Sequence, residues 1–145
     1  MSSSLLLLNL ALALVLTGLI WTIQCVHYPL FASVGEEAFR SYHAQHNGAI
    51  TMLVAPLMVA ELAAAFALTL ARPEGLSPTV AWVALGLVLL VWAATFVLSV
   101  PSHGRLAQGL SLAEVDALVR GNWVRTLAWT ARSGLLLFTQ WQLLR

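Results

Sequence analysis

The chain has no lysine. All seven of its basic residues are arginines, and they face only six acidic residues in 145, so charge makes up 9% of the sequence. That is about a third of the charge of a soluble domain. With a net charge of +1, nothing marks a nucleic-acid partner. Cys25 is the only cysteine, which rules out an intrachain disulfide; the residue reads as a small buried apolar side chain. No Cys-x-x-Cys-His occurs, so a covalently attached haem has no anchor. No internal repeat is visible, which weighs against a proton-coupled carrier built around Glu61.

What fills the chain is apolar, 60% of it. Runs at Leu5–Ile23, Ala49–Ala71, Val80–Val100 and Leu127–Leu144 have the length and composition of membrane spans. Ser2 to Ser4 give no positive n-region and the first run exceeds a signal-peptide core, so it reads as a retained span. Pro29 is expected to stop the first helix and Pro101 the third. Glu36 and Glu37 suit a helix first turn. The second helix, about 36–71, is roughly 50 Å long, against a hydrocarbon core of about 30 Å, so its first turns are expected to protrude, and Pro56 lies inside it. Arg72-Pro-Glu-Gly75 predicts a tight turn, and Ser77-Pro78 a helix start. Ser111-x-x-Glu114 is a capping box opening an amphipathic helix over 112–120 at the interface, with Gly121 either separating it from the fourth span or lying within one continuous helix.

The fold expected is therefore all-α: a single-domain integral membrane antiparallel four-helix bundle over 1–145, with spans at about 4–28, 44–71, 79–100 and 122–144. Arginines 40, 105, 120 and 125 lie toward one side and 72 and 145 toward the other. By arginine content the first side is cytoplasmic, and the setting is a bacterial inner membrane.

Topology gathers all four histidines on that side. His27 closes the first span, His43 and His46 open the second, and His103 comes after the third. Imidazole suits Fe, Cu and Zn, so these four are candidate metal ligands. Glu36 or Glu37 could extend the set to a second ion. An axial pair for haem b, such as His27 with His46, is the other cofactor candidate. A proton relay or simple interfacial hydrogen bonding would equally satisfy them.

Polar residues inside spans usually face the bundle interior. Thr17, Trp21, Gln24 and Tyr28 recur along helix 1. Trp92, Thr95, Ser99 and His103 do so on helix 3, and Asn122, Arg125, Trp129 and Arg132 on helix 4. Glu61 and Arg132 lie at similar depth and are expected to pair, setting the floor of a pocket. Glu61, Arg125 and Arg132 are the candidate catalytic residues. Gln24, Tyr28, Asn122 and Trp129 are the candidate substrate contacts. Trp21 and Trp92 read as deeper packing residues.

The order Pro101-x-His103-x-x-Leu106, an acidic amphipathic segment, then Asn122-Trp123-x-Arg125-Thr126-x-x-Trp129-x-x-Arg132 resembles the anthrone-oxygenase-like family of small four-span membrane proteins. It covers about the last third of the chain. The resemblance implies a membrane-embedded pocket for a lipophilic aromatic substrate and oxidative chemistry. The chain departs from that pattern at His103, where the family commonly has Asn, and adds His43-x-x-His46. Together these readings predict a membrane oxidoreductase or oxygenase for a lipophilic small molecule. The alternative is a non-catalytic lipid-, haem- or pigment-binding subunit of a larger membrane complex, or a homo-oligomer.

Overall fold

A computed structural model describes residues 2–145, with side chains from residue 4 onward. Among these residues there are four long helices and no strand. Helix α1 is an α-helical run Ser2–Thr22, a π turn Ile23–His27, an α turn Tyr28–Leu30 and a closing 3-10 turn Phe31–Ser33. Helix α2 is Glu36–Leu70 and continues through Pro56. Helix α3 is Pro78–Ala94, a π turn Thr95–Ser99, and Val100–Leu106. Helix α4 is Leu112–Leu143. Each packs on its neighbours in sequence, and α4 closes the ring on α1. Paired contacts run in opposite senses: Asn9 meets Ala64 and His27 meets His46 between α1 and α2, while Thr17 meets Ser133 and Gln24 meets Asn122 between α1 and α4. The architecture is the predicted antiparallel bundle.

Two helices do not stop where their prolines predicted. A proline inside a helix lacks its N–H and pushes against the carbonyl four residues back. Here each proline comes directly after a π turn. The Tyr28 N–H bonds Ile23 O just before Pro29, and the Val100 N–H bonds Thr95 O just before Pro101. The wider turn makes room for the ring, so the helix survives it. The extra residue also rotates the side chains around it. Tyr28 turns inward, 3% exposed. Cys25 turns outward and is exposed rather than buried, and Trp21 lies at the surface against Trp123.

The segment 112–120 is not a separate interfacial helix. It forms the first turns of α4, held by the Ser111 Oγ that accepts from the Glu114 N–H at 3.3 Å. The Glu114 carboxylate goes not to its own cap but to Arg105, at 2.7 Å. Val115 and Leu118 bury their side chains with Phe31, Phe39 and Leu106. The first turns of α2 therefore do not protrude alone; the bundle extends with them, and the Phe31 turn plugs its end.

The outer surface is apolar, with residues such as Leu7, Val15, Met52, Phe66, Trp82, Leu89 and Leu137 each at least 46% exposed. Helices α1 to α3 contain stretches long and apolar enough to cross a membrane, at Ser4–Ser33, Glu36–Leu70 and Pro78–Leu106. The fourth helix falls short by composition. Its polar residues face inward, with Asn122, Arg125, Thr126, Arg132 and Ser133 buried, while Leu127, Leu137, Phe138 and Trp141 face out. Beyond Asp116 and Arg120 near its start, the outward side of this helix is apolar apart from Thr130 and Gln142.

Candidate functional site: a cleft between α2 and α3

A cavity of about 480 Å³ lies between α2 and α3, within the size range of small-molecule sites. From α2 it takes Asn47, Ile50, Thr51, Val54, Ala55 and Met58; from α3 it takes Trp92, Thr95, Phe96, Ser99, Val100, His103 and Gly104, with Ala107 just past its end. These recur at spacings of three and four, so one stripe of each helix forms a wall. Ile23, Tyr28 and Arg125 close the back. Thr51, Ala55, Phe96 and Val100 are exposed, so the cleft opens sideways, between two helices, onto the apolar outer surface.

The back wall is polar. His103 is the hub of a hydrogen-bonded chain: its Nε2 meets the Tyr28 hydroxyl at 3.1 Å, and its Nδ1 meets His43 Nε2 at 3.1 Å. A second pair, His27 Nε2 and His46 Nδ1, meets at 2.7 Å. Aromatic rings hold the group in place: Phe31 packs edge-on against His27, His43 and His46, and Phe39 stacks on His43. Phe31, which carries no polar atom to attract notice in the sequence, is the plug on which the imidazoles rest.

The four histidines gather at one end of the bundle, as their positions predicted, but not as a metal-ligand set. Among the described residues no three His, Cys, Asp or Glu side chains are arranged to hold an ion. Five of the eight ring nitrogens bind each other or Tyr28, leaving His27 Nδ1, His43 Nδ1 and His46 Nε2 without a hydrogen bond, the last two of them buried. Glu36 and Glu37 are exposed in the first turn of α2. The residues as arranged do not fit a four-histidine centre.

Arg125 is 5% exposed. Its Nη1 donates to Ser99 Oγ at 3.2 Å and to Asn122 Oδ1 at 3.3 Å, and its guanidinium lies 5.3 Å from the centre of the Trp129 ring. The Tyr28 hydroxyl stands beside it. Asn122 is fixed in turn by Gln24, whose Oε1 accepts from Asn122 Nδ2 at 2.9 Å and from Thr126 Oγ1 at 3.3 Å, and whose Nε2 donates to Val119 O at 3.1 Å. Gln24, Asn122 and Trp129 were expected to touch substrate. None lines the cleft; they brace Arg125 from behind.

Glu61 and Arg132 pair as predicted, at 2.9 Å, with side chains at most 1% exposed. They do not form the cavity floor, which is made by Met58 and Trp92. Their network is closed. Glu61 Oε2 accepts from Trp129 Nε1 at 2.9 Å. Arg132 donates from Nη2 to Asn9 Oδ1 at 2.7 Å, from Nη1 to Asn9 O at 3.4 Å, and from Nε to Ala84 O at 3.3 Å. Asn9 Nδ2 donates to Ala64 O at 2.9 Å and Leu5 O at 3.0 Å. Four helices are thus tied at one level. Asn9 escaped the sequence reading, although a lone amide in an apolar run is the signal that should expose it.

Comparison with protein-family models, with characterised proteins and with solved structures gives no match.

Proposed function

We propose that this chain is a membrane oxidoreductase or oxygenase that draws a lipophilic small molecule from the bilayer into the α2–α3 cleft. The observation that carries the reading is the cleft itself: apolar side walls, a lateral opening, and a polar back wall of Tyr28, His103 and Arg125. A ligand entering from lipid keeps its apolar body against Ile50, Val54, Met58 and Trp92. Its polar end reaches the back wall. There the Tyr28–His103–His43 chain can exchange a proton with it, because each link is a hydrogen bond between groups that both donate and accept. Arg125 holds charge that develops on the ligand.

The oxidative part of the reading rests on the resemblance of residues 101–132 to the anthrone-oxygenase-like family. Any metal or haem b that such chemistry uses would need partners beyond the imidazole pairs, and no step is assigned to one. The arginine distribution supports placing the His-bearing end at the cytoplasmic face of a bacterial inner membrane.

The test is mass spectrometry of protein purified in native lipid. A lipophilic compound should co-purify with the wild type and be lost from Val54→Trp, which fills the cleft. Equal retention by both would remove the cleft from the argument. An absorption spectrum with a Soret band would favour a haem-binding subunit instead.

A further inference from the structure

The cleft has a cation at its back with no anion to meet it. Arg125 is only 5% exposed. Among the described residues every ion pair lies elsewhere: Arg105 with Glu114, Arg120 with Asp116, and Arg132 with Glu61. The one carboxylate inside the bundle, Glu61, has both oxygens committed, to Arg132 and to Trp129. The groups around Arg125 are neutral: Ser99, Asn122, Tyr28 and the face of Trp129. A guanidinium held inside a membrane bundle without a counter-ion is costly, and four side chains are spent on keeping it there.

The way it is held is directional. Both hydrogens of Nη1 are used, one by Ser99 and one by Asn122. Nε is buried and has no partner, and on the side away from Ser99 and Asn122 the one group among the described residues that meets the guanidinium is the neutral Tyr28 hydroxyl. That side of the fork has no anion among the described residues and borders the cleft, which Arg125 lines. Two parallel N–H groups in one plane match the two oxygens of a carboxylate. Neutral oxygens need no such edge.

We propose that the ligand of the cleft is a lipophilic carboxylic acid, bound as its anion with the carboxylate on the cleft-facing side of the Arg125 guanidinium. This deepens the reading of the cleft as a lipophilic-substrate site and rests on it. The tail lies along Val54, Met58 and Trp92 and leaves through the gap between α2 and α3. Tyr28 caps the head group from the side that His103 approaches. Ser99 and Asn122 turn the guanidinium toward the cleft, and Ser99 also forms part of its wall.

The experiment compares a pyrene-labelled fatty acid with its methyl ester, each titrated into wild-type protein in phosphatidylcholine nanodiscs. The two probes share a tail and differ in charge. The acid should bind about tenfold or more tightly than the ester, the scale of one charge-assisted bidentate contact. In Arg125→Gln the acid should fall to the level of the ester while the ester stays where it was. Arg125→Lys, which keeps the charge but loses the fork, should lie between. Equal binding of acid and ester by the wild type would overturn the carboxylate assignment and leave the lipophilic cleft intact. Binding of neither would overturn both. Mole-for-mole displacement of the acid by phosphatidylglycerol would hand the seat to a bilayer head group, and that too overturns the proposal. The wild-type comparison decides the matter even if Arg125→Gln fails to fold.

Discussion

Glu61 and Arg132 lie 2.9 Å apart across the bundle with neither side chain more than 1% exposed. Taking one partner away leaves a buried charge alone, whereas taking both leaves a cavity and some loose amides. Glu61→Leu and Arg132→Met should each, alone, destabilise the protein by about 3–5 kcal/mol. Glu61→Leu with Arg132→Met should cost less than the sum of the single losses. Reversible unfolding in mixed micelles, read as a double-mutant cycle, measures this. Additive losses would mean that the pair is not coupled.

Asn9 offers a sharper test of the same network, because it donates to one helix and accepts from another. Asn9→Leu removes the acceptor of Arg132 Nη2 and should cost about 1.5–3 kcal/mol, the range for a hydrogen bond to a charged group. The loss should largely vanish in the background of Glu61→Leu with Arg132→Met, where the arginine is gone.

The tyrosine behind the cleft gives a spectroscopic prediction. The His103 ring has both nitrogens engaged, by Tyr28 and by His43. Tyr28→Phe leaves Nε2 of a largely enclosed imidazole without a partner, at a cost of about 1–3 kcal/mol. The ¹⁵N shifts of both His103 and His43 should change, because the tautomer of one sets the role of the other. The His27 and His46 shifts should move least, since that pair bonds to itself. A change at all four histidines alike would show that the chain is not organised in these two groups.

The turn before α3 can be tested by a single methyl. Gly75 has φ +84°, and a Cβ there would come within 2.8 Å of Leu143 Cδ2 at the end of α4. Gly75→Ala should lose about 1–2 kcal/mol from the left-handed backbone alone, and more if Leu143 cannot move. Gly134, with open space around its Cα and a place inside α4, serves as the control: Gly134→Ala should be neutral or stabilising by up to about 1 kcal/mol. Both are read by thermal unfolding in the same detergent.

The parts of this fold that the sequence disclosed are those governed by the solvent. Burying Glu61 and Arg132 in an apolar run leaves them few options besides each other, so their pairing could be read from depth alone. The gathering of His27, His43, His46 and His103 came from counting crossings. The parts it hid depend on local backbone geometry. Pro29 and Pro101 look like helix ends, because a π turn leaves no mark in the residue types around it. The first of those turns carries Cys25 to the outside. What the imidazoles bond to was also out of reach: spacing places two rings on one helix, but the Phe31 plug and the Tyr28 hydroxyl decide which nitrogens meet. The same holds for Arg125, singled out by its charge, whose orientation toward the cleft depends on Ser99 and Asn122 holding Nη1.

The inward polarity of α4 governs how the chain is made. Helices α1 to α3 can leave the insertion machinery on the strength of their own side chains. The last helix arrives carrying Arg125 and Arg132 and has little to gain from lipid by itself. Its guanidiniums are satisfied only where Glu61, Asn9 and Ser99 already wait. Docking of α4 against the first three helices is expected to be the last step of assembly. A nascent chain with Glu61 replaced should bring α1 to α3 into the membrane as before but dock its C-terminal segment more slowly, leaving that segment open for longer to protease added during cell-free insertion.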